Sequence, residues 1–68
     1  MSVVKVTEII AGSPKSFDDA IRQGLARARK TLRGLKSAWV GEQQVMLSPD
    51  GEITEYRVLL RITIMLED

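Results

Sequence analysis

The stretch Ile53 to Leu66, ITEYRVLLRITIML, constrains this chain more than any other. It has no Pro or Gly and is dense in Val, Ile, Leu, Thr and Tyr, so it predicts one continuous β-strand. At roughly 3.3 Å per residue such a strand spans about 46 Å. The chain has 68 residues. A compact domain of that length has a radius of gyration near ~11 Å and a diameter of only about 28 Å. A straight strand therefore overhangs its own domain. Either it bends sharply or another copy covers it, and self-assembly is the first functional expectation.

Size reinforces this. Residues 1–68 are read as a single domain, and a domain so small buries only about 60% of its unfolded surface. Small chains compensate with disulfides, metals or oligomerisation. There is no Cys and no His, which excludes disulfides and thiolate or imidazole metal sites and leaves oligomerisation. A net charge of +1 is too balanced to argue for nucleic acid. No apolar run is long enough to span a membrane. The start MSVVKVTEII has no basic region followed by an apolar core, so a cytoplasmic protein is expected.

The elements follow from pattern. Val3 to Ile10 is rich in β-branched residues and predicts strand 1, with Val4, Val6 and Ile10 on one face and Val3, Lys5, Thr7 and Ile9 on the other. Ser16 can cap a helix whose first turn holds Asp18 and Asp19. Phe17, Ala20, Ile21, Gly24, Leu25, Ala28 and Leu32 make its apolar stripe. Gly34 is the expected left-handed stop, with Leu35 folding back on the last turn. Ser37 to Leu47 predicts strand 2, with a bulge or bend at Gly41. Ser48-Pro49-Asp50-Gly51 is turn chemistry that closes a hairpin onto strand 3. The expected fold class is α+β: a β-α-β-β chain whose three-stranded antiparallel sheet wraps one helix.

The apolar face running from Tyr56 to Leu66 is the partner for the helix stripe. The opposite face is left uncovered. It is expected to carry Val3, Ile9, Trp39, Leu59 and Met65 interleaved with Arg57, Arg61, Lys5 and Glu55. Apolar residues spaced among charges suit a subunit interface or a ligand wall. Trp39, the sole Trp, is costly to leave in water.

These residues resemble the dodecin family. The β-α-β-β order and length are similar, as are Val4-Lys5-Val6-Thr7-Glu8-Ile9-Ile10 with Gly12-Ser13-Pro14, and the helix segment Gly24 to Arg33. So are Tyr56-Arg57-Val58 and the tail Leu66-Glu67-Asp68. The similarity covers essentially the whole chain, and its specificity lies in the order and spacing of these pieces. The resemblance implies a non-enzymatic homo-dodecamer, a hollow shell in which each sheet wraps its own helix. Flavin-binding members hold pairs of flavins (FMN or riboflavin) between symmetry-related tryptophans, and store, buffer or quench them.

Two departures bear on the pocket. In flavin-binding dodecins a Trp opens strand 2, followed by a variable residue, Glu and Val. Matching Val40 to that Val puts Ser37 at the flavin-stacking position and Trp39 at the Glu. A small loop insertion instead makes Trp39 the family Trp. The second departure is Arg57, which follows Tyr56 where flavin binders often place a Gln. Arg has donors but no acceptor, so it suits a phosphate, a carboxylate or an aromatic face. A structural pairing of Arg57 with Glu55 or Glu42 is the other reading. The candidate flavin- or ligand-binding residues are thus Trp39, Arg57, Ser37 and Gln44. Ala38-x-Val40-x-Glu42-Gln43 and Gly51-x-Ile53-Thr54 look closer to a dodecin branch that lacks the flavin Trp and has been linked to calcium. Calcium takes about six to eight oxygens. Asp50, Glu52, Glu42 and Glu67 are available, but without a loop spacing that commits them.

Catalysis is not expected, since the chain has no Cys, His, Ser-x-x-Lys or nucleophile-elbow pattern. The basic helix face of Arg22, Arg27, Arg29, Lys30 and Arg33 lacks the aromatic sheet pair of RNA-binding modules, so no nucleic-acid partner is expected. The expected partners are further copies of the chain and a small ligand, with flavin leading and calcium as the alternative.

Overall fold

The computed structural model describes residues 2–66. Strand β1 (Val4–Ser13) leads through helix α1 (Phe17–Thr31) to β2 (Leu35–Leu47) and β3 (Ile53–Met65). The sheet order is β1-β3-β2, and both outer strands run antiparallel to the central β3. The outer strands are therefore parallel to each other, and α1 is the crossover that parallel strands require. This is the expected β-α-β-β order.

The helix forms where its chemistry places it. Ser16 is extended (φ −172°, ψ 166°), and its Oγ accepts from the Asp19 amide at 3.0 Å. Ala20, Gly24 and Ala28 are buried against the sheet, flanked by half-buried Phe17, Ile21, Leu25 and Leu32. That is the predicted stripe. Its middle line is made of small residues, which lets the helix backbone approach the strands closely. Across the contact Val58, Leu60, Ile62 and Ile64 are buried on β3. Phe17 meets Tyr56 edge-to-face, with ring centroids 5.2 Å apart at 77°.

The helix stop differs from expectation. Leu32 already leaves the helix in an extended conformation (φ −113°, ψ 144°), its amide donating to the Ala28 carbonyl at 2.9 Å. Gly34 does have a positive φ of 74°. It serves β2 rather than the helix, because its carbonyl accepts from the Met65 amide at 2.9 Å. Leu35 accordingly opens a strand two residues earlier than predicted.

Strand β2 is irregular, with register shifts between Leu35 and Ser37, Val40 and Gln43, and Met46 and Leu47. The middle shift holds Gly41, the predicted bulge; such insertions bend a strand and increase its twist. The turn closes with the Gly51 amide donating to the Ser48 carbonyl at 2.9 Å, and Gly51 has a φ of 86°.

Strand β1 overturns two expectations. It continues past Ile10 to Ser13, and its faces are reversed relative to the sheet. Ile9 pairs with Leu60 and Ala11 with Val58, so Ile9 and Ala11 lie on the helix side. Lys5, opposite Ile64, shares that side. Val4, Val6, Glu8 and Ile10 therefore line the open face, where Ile9 and Lys5 were expected, and Val3 precedes the strand. The physical reason is helix approach: Ala11 is small enough to sit under Gly24.

Ser13 closes the strand as the one buried polar side chain among the described residues, 2% exposed. Its hydroxyl donates to Asp19 Oδ2 at 2.6 Å and accepts from the Lys15 amide at 2.9 Å. Ser13→Ala removes both contacts and leaves the Lys15 amide and Asp19 without them. A loss of about 1–3 kcal/mol is expected in a denaturant melt, and Ser13→Thr, which keeps the hydroxyl, should lose less.

The molecule measures 52 × 20 × 14 Å, with a radius of gyration of 14.0 Å, against roughly 11 Å for a compact chain of this length. The predicted overhang is real. β1 ends opposite Tyr56, where α1 begins, so the hairpin from Met46 to Glu55 projects beyond both as a two-stranded arm.

Candidate functional site

The helix covers one side of the sheet; the other side is open. Strand register arranges that open side in rows. Val6, Thr63 and Ser37 form one row across the three strands. Glu8, Arg61 and Trp39 form the next. Ile10 and Leu59 follow beside the β2 bulge, then Gly12, Arg57 and Gln44. Residues two apart on a strand share a face, which stacks these rows on β1 and β3, while the β2 bulge leaves Leu59 without a β2 partner.

All four sequence-predicted site residues lie on this face, in two groups. Ser37 and Trp39 occupy adjacent rows. Gln44 and Arg57 stand opposite each other, two rows beyond Trp39, about 13 Å further along β3. Between the groups lies an open hollow of about 390 Å³, lined by Ile10, Glu42, Gln44, Arg57 and Leu59 among others. Trp39 and Ser37 are not among its lining residues. The structure thus brings Gln44 and Arg57 together and leaves Trp39 as a separate platform.

Trp39 is 69% exposed. Its cross-strand neighbour Arg61 is held from the other side by Glu8, Nε to Oε2 at 2.8 Å. Arg57 is held by Glu55, Nε to Oε1 at 2.7 Å. Of the two readings of Arg57, the ion pair with Glu55 is therefore formed. Both pairs are half-exposed, so each contributes only about 0–1 kcal/mol to stability. Their larger effect is orientation: they fix two guanidinium groups along the open face. Ile10, 70% exposed, is a hollow-lining residue that strand alternation alone did not select. Its signal was the register with Leu59.

The carboxylates do not gather. Glu42 sits at the β2 bulge, Asp50 and Glu52 at the hairpin tip, and Glu67 lies outside the described residues. Among the described residues no three carboxylates converge on a point that could hold a metal ion. Also among the described residues, no helix is long and apolar enough to cross a membrane.

A single helix clasped by a three-stranded antiparallel sheet, with the sheet's other face open, defines a small α+β class. The dodecin family model matches residues 3–67, and the chain belongs to that family. It is 38% identical over 63 residues to the calcium dodecin of Mycobacterium tuberculosis, covering 93% of this chain and 87% of that one. The crystal structure of that calcium dodecin superposes with a TM-score of 0.83 at 33% identity, covering 97% of this chain and 93% of that one. The dodecin of Thermus thermophilus is 38% identical over 66 residues, covering 97% of this chain and 94% of that one. The dodecin structure from Streptomyces davaonensis superposes with a TM-score of 0.91 at 34% identity, covering 98% of this chain and 97% of that one.

Proposed function

We propose that this chain is the single-domain subunit (1–68) of a non-catalytic, cytoplasmic homo-dodecamer that sequesters flavin on the open sheet face. One observation carries the reading: Trp39 stands exposed on a face that also exposes Val4, Val6 and Ile10. Apolar surface of this extent gains about 25 cal/mol per Å² when covered, and sister subunits related by symmetry are the available cover. An indole on that face is a stacking surface for a flat aromatic ring. About 13 Å along the same face, Gln44 supplies both a donor and an acceptor, and Arg57 a cation, for the polar chain and phosphate of FMN. Bound flavin would bring its redox-active ring; the chain's own residues stack it, orient it and exclude water.

Size-exclusion light scattering tests the assembly, and flavin titration tests the ligand. Riboflavin or FMN added to the purified protein should lose its fluorescence. Trp39→Ala should abolish the quenching while circular dichroism shows the subunit still folded, since the side chain is 69% exposed within its own chain. Saturating flavin that stays fully fluorescent sinks the ligand and spares the shell.

Calcium is the second reading, supported by the similarity to a calcium dodecin. Because the carboxylates described within one chain do not converge, an ion would complete its shell with backbone carbonyls, water or oxygens of a second copy. A melting temperature that rises with calcium and ignores flavin supports this reading over the first.

A further inference from the structure

Charge is segregated along this chain. Between residues 20 and 41 stand Arg22, Arg27, Arg29, Lys30, Arg33 and Lys36, with no Asp or Glu. Between 42 and 56 stand Glu42, Asp50, Glu52 and Glu55, with no Lys or Arg. The fold turns this linear order into a polarity of shape. Leu35, at the start of β2, pairs with Ile64; Leu47, at its end, pairs with Ile53. The two levels are separated by roughly 36 Å along β3. The basic half of α1 and the start of β2 thus occupy one end of the 52 Å long axis, and the acidic arm occupies the other.

Each end also carries apolar surface of matching kind. On the arm, Leu47 and Ile53 are direct cross-strand partners, so they share a face, and both are exposed. Asp50 and Glu52 flank them in the turn. At the other end a groove of about 400 Å³ runs between α1 and β2. Leu25, Leu35 and Ile62 give it an apolar floor, and Arg22, Arg29 and Lys36 give it a cationic rim. Arg22 is already engaged by Asp18 at 2.9 Å. That hydrogen bond, and then the Asp18 charge, hold its guanidinium pKa above the ordinary value. Arg29 and Lys36 pair with no carboxylate among the described residues.

We propose that the acidic hairpin arm of one copy docks in the cationic α1–β2 groove of a second copy, Leu47 and Ile53 seated on the groove floor and Asp50 and Glu52 meeting Arg29 and Lys36. This inference rests on the assembly reading above and says which surfaces make the contact. A copy cannot fill its own groove, because its arm lies at the far end of the molecule. Pairing either end with the same end of another copy would set like charges against each other. Arm-to-groove contact either closes reciprocally in an antiparallel pair or runs from copy to copy and closes when the rotation permits a ring. It also covers the arm's otherwise solvated apolar pair.

Because the chain has no cysteine, cross-linking reads the contact directly. Ala26 lines the groove. Ile53→Cys with Ala26→Cys, oxidised and run without reductant, should give a cross-linked ladder in multiples of 7.6 kDa, ending at the dimer if the arms are exchanged reciprocally. Ile53→Cys with Gln23→Cys, on the flank of α1 that faces β1, should stay at the monomer band. Independently, Arg29→Glu with Lys36→Glu should bring the light-scattering mass to less than half that of the unaltered protein, and adding Asp50→Lys with Glu52→Lys should restore it. Circular dichroism melts confirm that each variant is folded. An absent ladder, an equal ladder from the Gln23 control, or a quadruple variant that stays small overturns the docking mode. In each case an unaltered protein that is still assembled leaves the shell standing. An unaltered protein of 7.6 kDa overturns both.

Discussion

Gly24→Val is expected to lower stability by about 3 kcal/mol, a fall in Tm on the order of 15 °C for a domain of this size. Two effects compete at this position. Any residue other than Pro raises helix propensity over Gly, by up to about 1 kcal/mol. Against that, a Cβ on Gly24 would lie 2.6 Å from the Ala11 Cβ and 3.2 Å from Leu60 Cδ1. The Leu60 methyl can rotate away. The Ala11 Cβ cannot, because it is fixed to the backbone of β1 opposite Val58. Relief therefore requires the helix to lift off the sheet, which opens the interface along Ala20 and Ala28 as well. Gly24→Ala should lose roughly 0–2 kcal/mol, as propensity offsets part of the clash. Val adds two methyls in a closed space and β-branching on a helix, so the clash wins. Urea melts of the three proteins at one protein concentration decide it. A Gly24→Val protein as stable as its parent would mean that the helix does not sit this close to β1.

The same contact explains what could and could not be read from the residues in order. The helix stripe was legible because its seven positions repeat at helical spacing with no competing pattern. The buried face of β3 was legible because Tyr56, Val58, Leu60, Ile62 and Ile64 alternate with Arg57, Arg61 and Thr63. β1 offered no such contrast: Val4, Val6 and Ile10 on one side balance Val3 and Ile9 on the other. Register decides a strand's face, and a slip of one residue inverts it. Here the deciding residue is Ala11, beyond the point where β-branching ends, and its partner Gly24 lies in another element. Gly34 misled for a related reason. Its positive φ was correctly expected, but a turn into β2 uses that conformation as readily as a helix stop does. In the candidate site, Trp39 on the open face was legible from alternation. The separation of Trp39 from Gln44 and Arg57 was not, because it depends on where the bulge at Gly41 falls against Leu59.

Leu60→Ala is expected to make folding depend on concentration. Leu60 is 0% exposed and sits at the centre of the helix–sheet contact, beside the space at Gly24. Truncating such a residue costs about 3 kcal/mol or more, through lost transfer energy plus the cavity left behind. A chain of this length carries only roughly 3–10 kcal/mol in total. The variant subunit alone then keeps only about 0–7 kcal/mol, and at the lower end of that range it stands at the midpoint of unfolding. The proposed assembly would act on the folded state only, so mass action would return up to about 2.7 kcal/mol per subunit at a concentration roughly a hundred-fold above the dissociation constant. The melting midpoint of Leu60→Ala should therefore climb steeply with protein concentration, and the folded signal should vanish on dilution before the parent's does. A midpoint that stays fixed across that range would mean that the isolated subunit closes its own core well enough to stand without neighbours. The exposed row of Val4, Val6, Ile10 and Trp39 would then need a ligand, not a sister copy, to account for it.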